Sequence, residues 1–83
     1  IHRDIRGSNI VLTKEGEVKL VDFGLSRAMK SELEKRHTCV GSPSWMAPEV
    51  IKSTGANNGY DNKIDVWAMG ITAIELADGK APF

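Results

Sequence analysis

Two short apolar runs, Ile10-Val11-Leu12 and Val18-Lys19-Leu20-Val21, flank the turn-forming stretch Thr13-Lys14-Glu15-Gly16-Glu17. The runs are partly β-branched and short, and the pattern predicts a β-hairpin over residues 10–21. Its two ends carry chemistry. Asn9 closes His2-Arg3-Asp4-Ile5-Arg6-Gly7-Ser8-Asn9, and Asp22 opens Asp22-Phe23-Gly24, thirteen positions later. Antiparallel pairing brings those ends together, so an amide oxygen and a carboxylate are expected at one mouth. Both are hard oxygen donors of the kind Mg²⁺ accepts, usually from few protein groups with phosphates completing the shell. A turn-capping Asn and an Asp at a strand end would explain each residue alone; the surrounding eight-residue motif is what such a turn leaves unexplained.

Downstream, residues 25–46 show no sustained period, and a loop of that length in a compact domain is uncommon unless functional. Ala47 to Lys52 reads as a short helix with Pro48 in its first turn, and residues 53–59 as a turn-rich loop. Asp61 or Asn62 can cap a helix from Lys63 to about Ala77, stopped by Gly79. Ile64, Trp67, Ala68 and Ile71 form one stripe of that helix, while Val66, Met69, Ala73 and Leu76 cover other faces. A helix apolar on nearly all sides is expected in the middle of a packed lobe, and these 83 residues alone are not expected to bury it.

The 83 residues balance 11 basic against 11 acidic side chains, which gives no reason to expect nucleic acid or an anionic membrane as partner. No stretch approaches the roughly 18 apolar residues of a membrane span. Cys39 is the single cysteine, which excludes an internal disulfide and suits a reducing cytosol. His2, His37 and Cys39 lack the paired spacing of a zinc site. Trp45 and Trp67 read as packing residues.

Four motifs in order, His2-Arg3-Asp4 through Asn9, Asp22-Phe23-Gly24, Ala47-Pro48-Glu49 and Asp65-Val66-Trp67-Ala68-Met69-Gly70, resemble the eukaryotic protein kinases over the whole chain. Val40-Gly41-Ser42-Pro43-Ser44-Trp45-Met46 and Gly70-Ile71-Thr72-Ala73-Ile74-Glu75-Leu76-Ala77-Asp78-Gly79 are similar to the germinal-centre branch of the STE group. Arg6-Gly7, Val21 to Arg27 and Ala77 to Phe83 look most like class III unconventional myosins, the NinaC-like photoreceptor proteins in which a kinase precedes a motor. The resemblance implies an α+β, protein-kinase-like fold. The chain would supply the central part of the mainly helical C-lobe: catalytic loop 2–9, hairpin 10–21, activation segment 22–49 and a buried central helix at about 62–78. The N-lobe, with its Gly-rich loop and nucleotide-binding lysine, and the late C-lobe helices have no counterpart in these residues. The 83 residues alone are therefore expected to be inactive.

It further implies ATP-dependent phosphoryl transfer to serine or threonine hydroxyls of protein substrates, with ATP and Mg²⁺ as cofactors. Asp4 would be the catalytic base, and Asn9 and Asp22 the magnesium ligands. Val11 would lie under the adenine ring, with Phe23 and Gly24 beside the nucleotide. Arg6 stands where serine/threonine kinases usually carry Lys; the charge survives, but a planar fork replaces a point charge. Some tyrosine kinases also carry Arg there. Ser42 matches the hydroxyl that bridges the catalytic Asp and the basic residue, here Asp4 and Arg6, and argues for Ser/Thr specificity. Thr38 matches an activation-loop phosphorylation site, with Ser31 and Ser44 weaker candidates. Arg3 and Arg27 would receive its phosphate, which adds about two negative charges, delivered by an upstream activating kinase. His2, Glu49 and Asp65 are expected to be architectural: His2 stacks with Phe23, Asp65 holds the catalytic-loop backbone, and Glu49 is left without its usual arginine partner. A cytoplasmic, cytoskeleton-associated protein with a motor in the same parent chain is the corresponding expectation. A pseudokinase or docking module, and a tyrosine or dual-specificity kinase, stay open as alternatives.

Overall fold

The structure, a computed structural model, describes residues 1–29, 36–37, 39–52 and 59–83. Strands β1 (Ile10–Leu12) and β2 (Val18–Leu20) form the antiparallel hairpin, with Ile10 opposite Leu20 and Leu12 opposite Val18. The turn closes as its residue types dictate. Glu17 donates its N–H to Thr13 Oγ1 at 3.0 Å, Gly16 donates to the Thr13 carbonyl at 3.0 Å, and Gly16 takes a left-handed φ of 86° that a side chain would resist. At the other end Val21 N–H donates to the Asn9 carbonyl at 2.9 Å, one rung beyond the strands. A single 3-10 turn, Gly7–Asn9, leads into β1.

Helices α1 (Pro48–Ile51) and α2 (Lys63–Asp78) complete the described elements, with a second 3-10 turn at Pro43–Trp45 that the sequence pattern did not reveal. Pro48 occupies the first turn of α1, where its missing N–H costs nothing. Asp61 Oδ1 accepts the Lys63 N–H at 3.0 Å and serves as the side-chain cap of α2. At the other end Gly79, at φ 83°, returns its N–H to the Glu75 carbonyl at 2.7 Å and stops the helix.

The core gathers Ala47, Val50, Tyr60 and Ile64, with Ile1 and Met46 packed against it. Tyr60 also pairs its backbone with Arg36, by hydrogen bonds of 2.7 and 2.8 Å, which ties the long loop to the segment before α2. The expected buried central helix is buried along one stripe only. Ile64, Ala68, Ile71 and Thr72 face inward, whereas Val66, Met69, Leu76 and the predicted stripe residue Trp67 are exposed. The Gly7–Asn9 and Pro43–Trp45 turns pack against one side of α2, and the described residues leave the others exposed. Among the described residues no helix is long and apolar enough to cross a membrane.

Candidate active site

The site is organised from α2. Asp65, in its first turn, accepts two successive backbone amides of the 2–9 loop, His2 N–H at 2.8 Å and Arg3 N–H at 3.0 Å, one on each carboxylate oxygen. Arg3 pays for this with a left-handed φ of 73°. Asp4 follows directly, with its carboxylate shared between Asn9 of the same loop and Ser42. Ser42 Oγ donates to Asp4 Oδ1 at 2.7 Å and accepts from Arg6 Nη1 at 2.7 Å. The three side chains predicted to lie together therefore form one hydrogen-bonded row: carboxylate, hydroxyl, guanidinium.

Asn9 is buried beside them. Its Nδ2 donates to the Asp4 carbonyl at 2.9 Å and to Asp4 Oδ2 at 3.3 Å. Those two bonds orient the amide and leave its Oδ1 with lone pairs to offer. Asp22 follows Val21, whose N–H is bonded to the Asn9 carbonyl, so the backbones carrying the two groups lie side by side at the open end of the hairpin. Asp22 has a left-handed φ of 60°, and among the described residues its Oδ1 accepts only a long 3.4 Å bond from Gly24 N–H. One amide oxygen and a lightly engaged carboxylate suit a hard divalent cation that takes its other ligands from phosphates and water. Among the described residues no three His, Cys, Asp or Glu side chains cluster into a protein-only metal cage.

His2 joins these parts. Asp4 N–H donates to His2 Nδ1 at 3.1 Å, which leaves the proton on Nε2, placed to donate to the Val21 carbonyl at 3.0 Å. The imidazole meets the Phe23 ring edge-on, 4.8 Å between centroids. Phe23 is otherwise exposed, as is Val11 on β1, so no described residue encloses an adenine-sized space above Val11.

Several predicted residues fall elsewhere. Arg3 is buried, with Nε donating to the Leu25 carbonyl at 2.7 Å and Nη1 to the Tyr60 hydroxyl at 2.8 Å, so part of its fork already has partners. Arg27 is exposed and turns Nη1 onto the Ser26 carbonyl. Thr38 and Ser31 lie outside the described residues, and Ser44 Oγ donates to the Phe83 carbonyl at 3.0 Å. Glu49 is not a stranded buried charge; it is exposed on α1, where water solvates it.

Glu75 was not anticipated. From α2 its Oε1 accepts Gly7 N–H at 2.9 Å and Trp45 Nε1–H at 3.0 Å. The Trp45 ring lies beneath the Arg6 guanidinium, 4.2 Å from its carbon to the ring centroid. The sequence held no distinct signal for this, since Glu75 is one of three acidic residues on a largely apolar helix.

Gly41 sets the approach of Ser42. It has a φ of 120°, and a Cβ there would stand 2.6 Å from the Arg3 carbonyl oxygen. Gly41→Ala is therefore expected to cost about 1–3 kcal/mol in backbone strain and to push Ser42 off Asp4. Slower turnover with a lower melting temperature would register both effects.

The sequence pattern of the family described as "Protein kinase domain" matches residues 1–83. "Neither inactivation nor afterpotential protein C" of Drosophila melanogaster is 62% identical, with all of this chain aligned to 6% of that protein. "Myosin-IIIb" of Mus musculus is 57% identical over 99% of this chain and 6% of its own length. "Serine/threonine-protein kinase 1" of Arabidopsis thaliana is 54% identical over 99% of this chain and 9% of its own length. The chain thus spans less than a tenth of each of these three relatives. With the motif residues folded around one carboxylate–hydroxyl–guanidinium row and the match running from end to end, this chain belongs to the protein kinase domain family.

Proposed function

We propose that these residues form the catalytic segment of an ATP-dependent serine/threonine protein kinase. The observation that carries the reading is the row Asp4–Ser42–Arg6, with both hydrogen bonds at 2.7 Å. A carboxylate held this way can orient an acceptor hydroxyl and take its proton as the oxygen attacks phosphorus. Arg6 offsets charge on the transferred group while its Nη1 stays on Ser42. Asn9 Oδ1 and Asp22 are the groups that would hold Mg²⁺, which supplies charge neutralisation on the phosphate oxygens when bound. Val11, Phe23 and Gly24 line the nucleotide side of the hairpin mouth. Ser42 belongs to the loop that would receive a Ser or Thr acceptor.

The relatives named as serine/threonine kinases support the choice of acceptor, and the myosin-III relative supports a motor in the same parent chain. Such a protein would work in the cytoplasm, beside the cytoskeleton. Phosphorylation of Thr38 by an upstream kinase, read by Arg27 and the remaining donors of Arg3, is the regulatory part of the proposal.

The test is phosphotransfer from ATP by the complete catalytic domain, followed by phosphoamino-acid analysis of the acceptor protein. Phosphoserine and phosphothreonine are expected. Phosphotyrosine would overturn the acceptor assignment, and absence of transfer would leave a docking module in place of an enzyme.

A further inference from the structure

We infer that Glu75 and Trp45 form a positioning device for Arg6, built from a hydrogen-bonded indole beneath its guanidinium; the inference rests on the reading of Arg6 as part of the transfer site. Arg6 Nη1 is fixed on Ser42 Oγ, but one bond leaves a planar fork free to swing about it. Its Nε is buried and has no partner among the described residues, so hydrogen bonding does not fix the plane. The indole face of Trp45 does, at 4.2 Å.

The indole is itself held. Trp45 Nε1–H donates to Glu75 Oε1, the same oxygen that takes the Gly7 backbone N–H. A carboxylate acceptor on the indole N–H makes this a charge-assisted bond and leaves more electron density on the ring, which strengthens its attraction for a cation. Gly7 makes the approach possible. A Cβ on residue 7 would stand 2.7 Å from Glu75 Oε2, so the carboxylate reaches the backbone only because no side chain is there. Helix α2 therefore supports the site twice: Asp65 holds the loop carrying Asp4, and Glu75 holds the ring on which Arg6 rests. The role belongs to the oxygen as acceptor, not to its charge as a receptor for basic substrate.

Steady-state phosphorylation of a degenerate serine- and threonine-containing peptide mixture by the complete catalytic domain tests this. Glu75→Ala is expected to lower kcat about tenfold with the KM for ATP little changed, as loss of one aiming contact worth roughly a factor of ten predicts. Glu75→Gln, which keeps an acceptor oxygen, is expected to recover most of the rate. In an Arg6→Lys background, where no planar fork needs aiming, Glu75→Ala is expected to cost little more. A Glu75→Gln enzyme as slow as Glu75→Ala, or an undiminished penalty in the Arg6→Lys background, would overturn the inference. A domain with no phosphotransfer would strike the kinase reading instead, and NMR then decides the device. The indole N–H resonance that disappears in Trp45→Phe is expected to move in both Glu75→Ala and Arg6→Lys; a resonance unmoved in both removes the proposed coupling.

Discussion

Asp4→Asn is expected to lower the turnover of the complete catalytic domain by about 10²–10⁴-fold, the range general-base catalysis supplies. The substitution is nearly isosteric. One end of the new carboxamide can still meet Ser42 Oγ, as its oxygen accepts the hydroxyl proton or its nitrogen donates to the hydroxyl oxygen. The row therefore keeps its shape. What disappears is the capacity to take a proton. Asn9 keeps its bond to the residue-4 carbonyl, and the new amide oxygen can still accept its Nδ2 when the amide nitrogen faces Ser42, so the KM for ATP is expected to stay close to that of the wild type. A turnover number equal to wild type would remove Asp4 from the mechanism, and a collapsed melting transition would show that the carboxylate is needed for folding instead.

Asp65→Ala is expected to show the reverse pattern, structure first and rate as a consequence. Two backbone amides lose a charged acceptor, and hydrogen bonds to charged groups are worth about 1.5–3 kcal/mol each, so the pair amounts to roughly 3–6 kcal/mol. Arg3 would no longer be held in its left-handed conformation. Domains are stable by only about 5–15 kcal/mol, so the loss is a large fraction of the total. In a domain of about 150–250 residues each kcal/mol moves the melting temperature by roughly 2–4 °C, which predicts a fall of about 6–24 °C. Hydrogen exchange gives the local signature. The His2 and Arg3 amides are expected to lose protection before the amides of β1 and β2, and unchanged protection there would refute the role assigned to Asp65. Asp65→Asn keeps the size but offers one acceptor oxygen for two donors, and an intermediate loss is expected.

These two residues were legible because the motif names both the residue and its neighbours. The hairpin was legible for a different reason: short β-branched runs around a Gly-containing turn have a local cause, and local causes are visible along the chain. Helix α2 was found for the same reason, with its Asp61 cap and Gly79 stop. The rest depended on tertiary partners. Glu75 meets Gly7 across 68 positions, and Tyr60 meets Arg3 across 57; no period or spacing encodes such a pair. Trp67 shows the limit of a helical stripe. Its place on an apolar stripe predicts burial, yet burial needs a neighbour to cover it, and the pattern of one helix says nothing of how many neighbours there are.

The hairpin carries a last implication. Asn9 and Asp22 sit at its open mouth, and their spacing is set by rungs of main-chain hydrogen bonds from Val21 inward, while Thr13 to Glu17 form the tip at the far end. The unit works like a pair of tongs whose grip is fixed near the jaws. The handle can change in composition, and lengthen by whole rungs, without altering how wide the jaws stand.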